Sequence, residues 1–244
     1  MVASFDTHLF WEALSSRPYW HGALLAFELT CATLGTASVV AFFLALGALS
    51  KSRPLRGVVL VYNWLFRAIP TLLLFVWNGL PQLWGVFTSS WYTAFLAAFI
   101  ALSLNEAAYM SEIIRAGLMS VDPGQELAGR ALGMTRARIL RRVVVPQAIR
   151  IIIPPTANEF ITLLKLTSLA SVISLYELLG AATVRANQNF AFLEAYTAAA
   201  VYYLAIVSVL MVLQSRLERR FTWSSARRRR RTATTVAVVS HDAR

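Results

Sequence analysis

Residues 105–155 read NEAAYMSEIIRAGLMSVDPGQELAGRALGMTRARILRRVVVPQAIRIIIPP, a polar and basic stretch with long apolar segments on both sides. Its local chemistry specifies two short helices. Asp122 is an N-cap residue, Pro123 suits the first helical position, and Gln125 stands where it would complete a capping box with Asp122. Gly133 is suited to the left-handed conformation that ends the first helix. Thr135 is placed to cap a second, which Pro146 is expected to end or sharply bend. Ala128, Ala131, Leu132, Ile139 and Leu140 offer small and apolar faces between Arg130, Arg136, Arg138, Arg141 and Arg142. On this chemistry alone two readings stand: a helical loop presented to a partner in the cytosol, and a basic loop that only orients the chain in a membrane.

Outward from that loop, composition decides the class. The chain is 57% hydrophobic and 14% charged, against a charged share of about 25% in soluble domains. Its apolar residues come in blocks of membrane-spanning length. The formal charge of +11 raises nucleic acid as a partner, but the arginines sit at the ends of apolar blocks, which suits membrane orientation and anionic lipid and leaves no soluble basic domain. Cys31 is the only cysteine, so neither an intrachain disulfide nor a cysteine zinc site is available. The N-terminus lacks the basic start and small-residue cleavage site of a signal peptide, so its first apolar block reads as a retained span.

Five spans are expected in an all-α chain: residues 22–49, 57–80, 91–114, 151–175 and 195–214. The second carries Arg67 and Pro70, and the fourth is expected to be broken at Pro154–Pro155. Trp11 and Trp20 in the lead-in, and Trp77, Trp84 and Trp91 around the uncharged loop PQLWGVFTSS, suit headgroup-level belts. Lys and Arg number three in the first loop, seven from Arg115 to Arg150, and nine after the fifth span; the lead-in and the two other loops hold one, none and one. That asymmetry predicts an N-terminus outside and a C-terminus in the cytosol, which five crossings require. The organisation expected is an outer segment 1–21, a membrane domain 22–216 with the helical loop at 122–146, and a basic, disordered tail 217–244. For the tail's Arg227–Arg231 two readings stand, a lipid-binding anchor and a solvated positive-inside flank.

The chain has no phosphate-binding GxxxxGK[ST] loop, no nucleophile elbow and no metal-ligand spacing among His8, His21 and His241. It is therefore expected to be neither an enzyme nor a cofactor-binding protein, and any energy must come from a partner. The sequence here carries a resemblance. A small-residue helix, a Gly, nine residues and then an aliphatic-x-aliphatic-Pro run, at Ala128, Gly129, Gly133, Val143, Val145 and Pro146, resembles the cytosolic signature of ABC-importer permeases. AAYMSEIIRAG, GRALGMTR, RRVVVPQAIR and NEFITLLKLTSLASVISLYELL resemble the polar amino acid branch, the histidine and glutamine permease type, over roughly residues 20 to 215. One position departs: where that family usually has Glu before the two small residues, this chain has Leu127, and Glu126 lies about 100° around the helix.

The resemblance implies a type I importer permease in the bacterial inner membrane, half of a transmembrane dimer with a copy of itself or a paralogue. A cytosolic ABC ATPase dimer would drive it, and an extracytoplasmic solute-binding protein would feed it. The loop residues it implicates in ATPase coupling are Gln125, Glu126, Ala128, Gly129, Gly133, Arg136, Arg138 and Pro146. The competing expectation is a membrane scaffold or export component whose basic loop binds a non-ATPase partner.

Charged groups inside spans cost about 2.5–3.5 kcal/mol each at a helix centre and usually face the bundle or a cavity. Glu159, beside Asn158, is read either as a solute-path residue or as half of an interhelical ion pair; in related permeases the NEF element lies on the path. Arg67 with Pro70 resembles the family's Arg-x-x-Pro element, and Arg67 is read either that way or as snorkelling or pairing with Glu106 or Glu112. Glu112 and Arg115 are spaced to pair with each other. Lys165 either reaches a carbonyl or interface or meets a solute carboxylate. Asn187–Gln188–Asn189 reads as a hydrated external loop. Seven residues after Glu159, where members that take basic amino acids are expected to carry a second acid, this chain has Leu166. One carboxylate suits one cationic group, so a polar or zwitterionic solute, extending to a cyclic compatible solute of the ectoine kind, is expected over arginine or lysine.

Overall fold

The computed structural model describes residues 5–83 and 92–241, and their secondary structure is helical. Helix α1 (Thr7–Leu14) starts on Asp6, whose carboxylate accepts from the amides of His8 (2.8 Å) and Leu9 (3.2 Å). Helix α2 (Arg17–Ala48) follows with Pro18 in its first turn, so the first long helix begins inside the lead-in rather than at Gly22. Helices α3 (Arg53–Ala68) and α4 (Thr71–Leu83) replace the single second span expected from sequence; they meet at a 94° bend. Helix α5 (Ala94–Met119) is capped by Thr93. The basic loop carries α6 (Pro123–Ala131) and α7 (Arg136–Ile139), then one π-helical turn at Leu140–Val144. Helix α8 (Val145–Leu166) passes through a 3-10 stretch, Thr167–Ile173, to α9 (Leu178–Asn189) and α10 (Phe192–His241).

Among the described residues three helices are long and apolar enough to cross a membrane: α2, α5 and the 192–221 part of α10. Counting each bent pair as one span, α3 with α4 and residues 136–173 with α9, raises the number to five. Trp11, Trp20 and Trp77 are exposed, as an interfacial belt requires, whereas Trp84 and Trp91 lie outside the described residues. The backbone of α10 runs on as helix to His241, over the segment where the sequence suggested disorder. An already nucleated helix extends at little cost per residue.

Two proline expectations are corrected. Pro146 does not end a helix: the backbone is helical on both sides of it, in the π turn at Leu140–Val144 and in the first turn of α8, and the one amide its ring removes falls at that junction. Pro154 and Pro155 do not break the fourth span; α8 is helical through both. Each ring removes one amide donor, and packing against α5 and α10 holds the helix across the gap. The backbone instead departs from the α-helix at 167–177, where Ser174 turns left-handed (φ 62°) and Glu177 caps α9. Asn187–Gln188–Asn189 ends α9 as helix rather than loop, with exposed side chains.

The core is built on small residues. Helix α2 lies along α5 with Ala26, Ala37, Ala41 and Ala45 facing inward, and α5 answers with Ala97, Ala98, Ala101, Ala107 and Ala108. Such side chains let two backbones approach closely where no hydrophobic effect drives them together. A middle cluster joins α2, α4, α5, α8 and the 3-10 stretch through Leu29, Phe75, Leu102 and Leu163. Towards the basic loop, Ala41, Met110, Ile114 and Ala148 join α2, α5 and α8. At the other end Tyr19, Leu178 and Ala198 seat α1 and α9 on α2 and α10. There the Tyr19 hydroxyl donates to the Ala195 carbonyl (3.0 Å), and a Cβ on Gly22 would come within 2.8 Å of the backbone at Glu177 and Leu178.

Candidate functional site

The basic loop is a folded unit. Asp122 accepts from the Gly124 amide at 2.8 Å, which caps α6. At the far end Gly133 has φ +71°, its amide donates to the Arg130 carbonyl (2.9 Å), and the Met134 amide reaches back to Gly129 (3.0 Å). That is a Schellman ending, and its left-handed residue is a glycine. Thr135 then caps α7 through the Arg138 amide (3.4 Å). The reciprocal half of the capping box is not made. The Gln125 side-chain oxygen accepts from Gln147 Nε2 (3.4 Å), tying α6 to the start of α8.

Gly129 is buried against Ile139, which leaves no room for a larger residue and sets the separation of α6 and α7. Glu126 pairs with Arg130 on its own helix. Glu126 and Arg136 also line a hollow of about 780 Å³, with Lys51 from the turn between α2 and α3. Ala128, Arg138 and Pro146 are exposed. So are Leu127 at 66% and Leu132 at 81%, two large apolar side chains at the tip of the loop with nothing over them. The position that departs from the resembled signature is thus part of the outward face.

A second polar group holds the bend between α3 and α4. Pro70 cannot donate to the carbonyl four residues back, that of Phe66, and α3 has ended there in any case. Asn105 from α5 supplies the donor, Nδ2 to Phe66 O at 2.6 Å, and its Oδ1 faces Thr71 Oγ1 at 3.5 Å. One turn lower on α3, Asn63 donates to Glu112 Oε1 (3.1 Å) and accepts from Ser111 (3.1 Å). Glu112 also binds Arg115 at 2.7 Å, the pairing expected from their spacing. Arg67 pairs with neither Glu106 nor Glu112. Its guanidinium lies over the Tyr109 ring, 5.3 Å from the centroid, a cation–π contact that sequence spacing did not disclose. Arg67, Tyr109, Glu112 and Arg115 share an open cavity of about 840 Å³ with Asn63 and Trp64.

The α8 residues fall on two stripes. Asn158 and Lys165 are exposed, whereas Glu159 and Leu166 are half-buried. Leu166 packs on the middle core cluster. Glu159 forms no ion pair among the described residues, so the interhelical ion-pair reading is not realised there. Arg67 and the α8 group line no common cavity among those described.

The profile of binding-protein-dependent transport system inner membrane components matches residues 37–223. The chain belongs to that family. Among curated permeases it is 35% identical to the octopine transport system permease of Rhizobium meliloti over 96% of both chains. It is 40% identical to the L-cystine transport system permease of Bacillus subtilis, over 86% of this chain and 87% of that one. With the arginine transport system permease of Corynebacterium glutamicum it shares 39% identity, over 84% of this chain and 68% of that one. A crystal structure of an amino acid ABC transporter with histidines matches with a TM-score of 0.76 at 34% identity, covering 90% of this chain and all of the other. The protein is a multi-pass inner-membrane permease of the amino-acid ABC importer family, with the type I fold and no enzymatic activity of its own. The folded basic loop and the polar face of α8 are features of that permease.

Proposed function

We propose that this permease passes a polar amino acid along a path on which Glu159 meets a cationic group of the solute. The observation that carries this reading is Glu159 itself: a carboxylate midway along a spanning helix, half-buried, with no basic partner among the described residues. A charge so placed is expensive unless something neutralises it, and a passing ammonium does so only while it is being moved. Lys165, exposed nearly two turns further on, is placed to meet a solute carboxylate. The named relatives transport arginine, octopine and L-cystine, which all carry an amino-acid head.

Transport is driven by ATP hydrolysis on a cytosolic ATPase dimer that receives the tip of α6, with Leu127 and Leu132 seated in a surface groove. An extracytoplasmic binding protein delivers the solute, and a second permease, identical or paralogous, completes the membrane dimer. The Lys and Arg distribution supports an orientation with the N-terminus outside and the C-terminus in the cytosol. The test is uptake of labelled amino acids in cells whose only route is this importer, with the wild type and Glu159→Gln. Uptake should fall at least tenfold while the amount of assembled permease–ATPase complex is unchanged. Undiminished uptake through Glu159→Gln removes Glu159 from the path.

A further inference from the structure

Among the described residues four buried side-chain polar atoms lack a hydrogen-bond partner; one is Arg185 Nη2 on α9, which is ion-paired with Glu12, and the other three gather at one level of the bundle. These are Thr33 Oγ1 on α2, and Ser103 Oγ and Glu106 Oε1 on α5. Thr33 is fully buried and Glu106 is 3% exposed. They fall between the two dry clusters on the α2–α5 contact, after the Leu29 and Leu102 layer and before the Ala41 and Met110 layer.

The register of α5 against α8 identifies what faces Glu106. Leu102 shares a cluster with Leu163, whereas Ile114 and Leu118 share one with Ala148, so the two helices run antiparallel. A Cβ on Gly117 would lie 3.5 Å from the Ala148 carbonyl, which pins the alignment. One helical turn from Leu102 is Glu106; one turn from Leu163, in the opposite chain direction, is Glu159. The Glu159 carboxylate is close enough to act electrostatically on Glu106. No ion pair with either is formed among the described residues.

Two facing carboxyl groups with unpaired hydroxyls beside them are costly to ionise unless a cation comes to them, and no basic side chain among the described residues pairs with either. We propose that Glu106 is the second carboxylate of the solute site and sets a preference for solutes with a cationic side chain. Glu159, at the half-exposed edge of the α5–α8 seam, meets one charge, and Glu106 meets the other behind it. The expectation of a zwitterion over a basic amino acid counted acids along α8 alone, where Leu166 takes the place of a second one; the second acid comes from α5. This inference rests on the reading that Glu159 lines the path.

The test is direct binding to the purified permease–ATPase complex without binding protein, so that the binding protein's own selectivity does not enter. The probes are lysine and norleucine, which share a chain length and differ in the terminal ammonium. The wild type should favour lysine at least tenfold. Glu106→Gln should abolish that preference by weakening lysine alone, and Glu106→Asp, which keeps the charge on a shorter arm, should restore part of it. Equal weakening of both probes by Glu106→Gln, no change in either, or a wild type that favours norleucine overturns the proposal. If Glu106→Gln does not assemble, an Asp variant that binds both probes alike overturns it as well. Loss of lysine binding in Glu159→Gln with none in Glu106→Gln sinks this inference alone, whereas undiminished binding in Glu159→Gln sinks the path reading beneath it.

Discussion

Replacing Asn105 by Ala removes the donor that serves the Phe66 carbonyl at 2.6 Å, where α3 gives way to α4 through a 94° bend. Asn105 is 3% exposed, so water has little access to replace it. A buried acceptor left without its partner costs about 1–3 kcal/mol, roughly a 5- to 150-fold change in the unfolding equilibrium. The same carbonyl lacks its helical donor because residue 70 is a proline. Pro70→Ala restores an amide there, with which α3 can run on and serve Phe66 itself. Asn105→Ala should therefore cost about 1–2 kcal/mol less in the Pro70→Ala background than in the wild type, a coupling of the size seen between directly interacting groups. Equilibrium unfolding of the four variants in mixed detergent micelles, followed by helix content, measures it. Equal costs in the two backgrounds, within about 0.5 kcal/mol, would refute the account of Asn105 as the substitute for the missing amide.

Gly133→Val places a β-branched residue at φ +71°, a cost of at least about 1–2 kcal/mol confined to an exposed turn. The protein should stay in the membrane at normal abundance while solute-stimulated ATPase activity of the reconstituted complex is lost; normal stimulation would show that the α6–α7 turn is not the docking element. With Cys31→Ser as background, Ser90→Cys should label with a membrane-impermeant thiol reagent in intact cells and Ser224→Cys should not. The opposite pattern reverses the orientation.

Much of this fold is legible because its causes are local. The blocks of apolar residues, the caps at Asp122 and Thr135 and the left-handed glycine at 133 each follow from the chemistry of a few consecutive residues, and each stands in the structure. Glu112 with Arg115 was legible for the same reason, since three residues on one helix face is a fixed distance. Prolines were misread where the outcome depended on distant neighbours. Pro154 and Pro155 looked like a break, yet α8 continues because α5 and α10 pack against it. The sharp bend falls instead at Pro70, where Asn105, remote in sequence, takes up the freed carbonyl.

The facing of Glu106 and Glu159 belongs wholly to the tertiary structure. Periodicity places each residue on its own helix, but nothing in either segment determines how far one helix slides along the other. That register is set by bulk and by its absence: Gly117 opening a place for Ile152, Leu102 meeting Leu163, and alanines lining α2 so that α5 can approach. Side-chain volumes summed across three helices made the choice, and two carboxylates 53 positions apart in the chain came to share one level of the bundle.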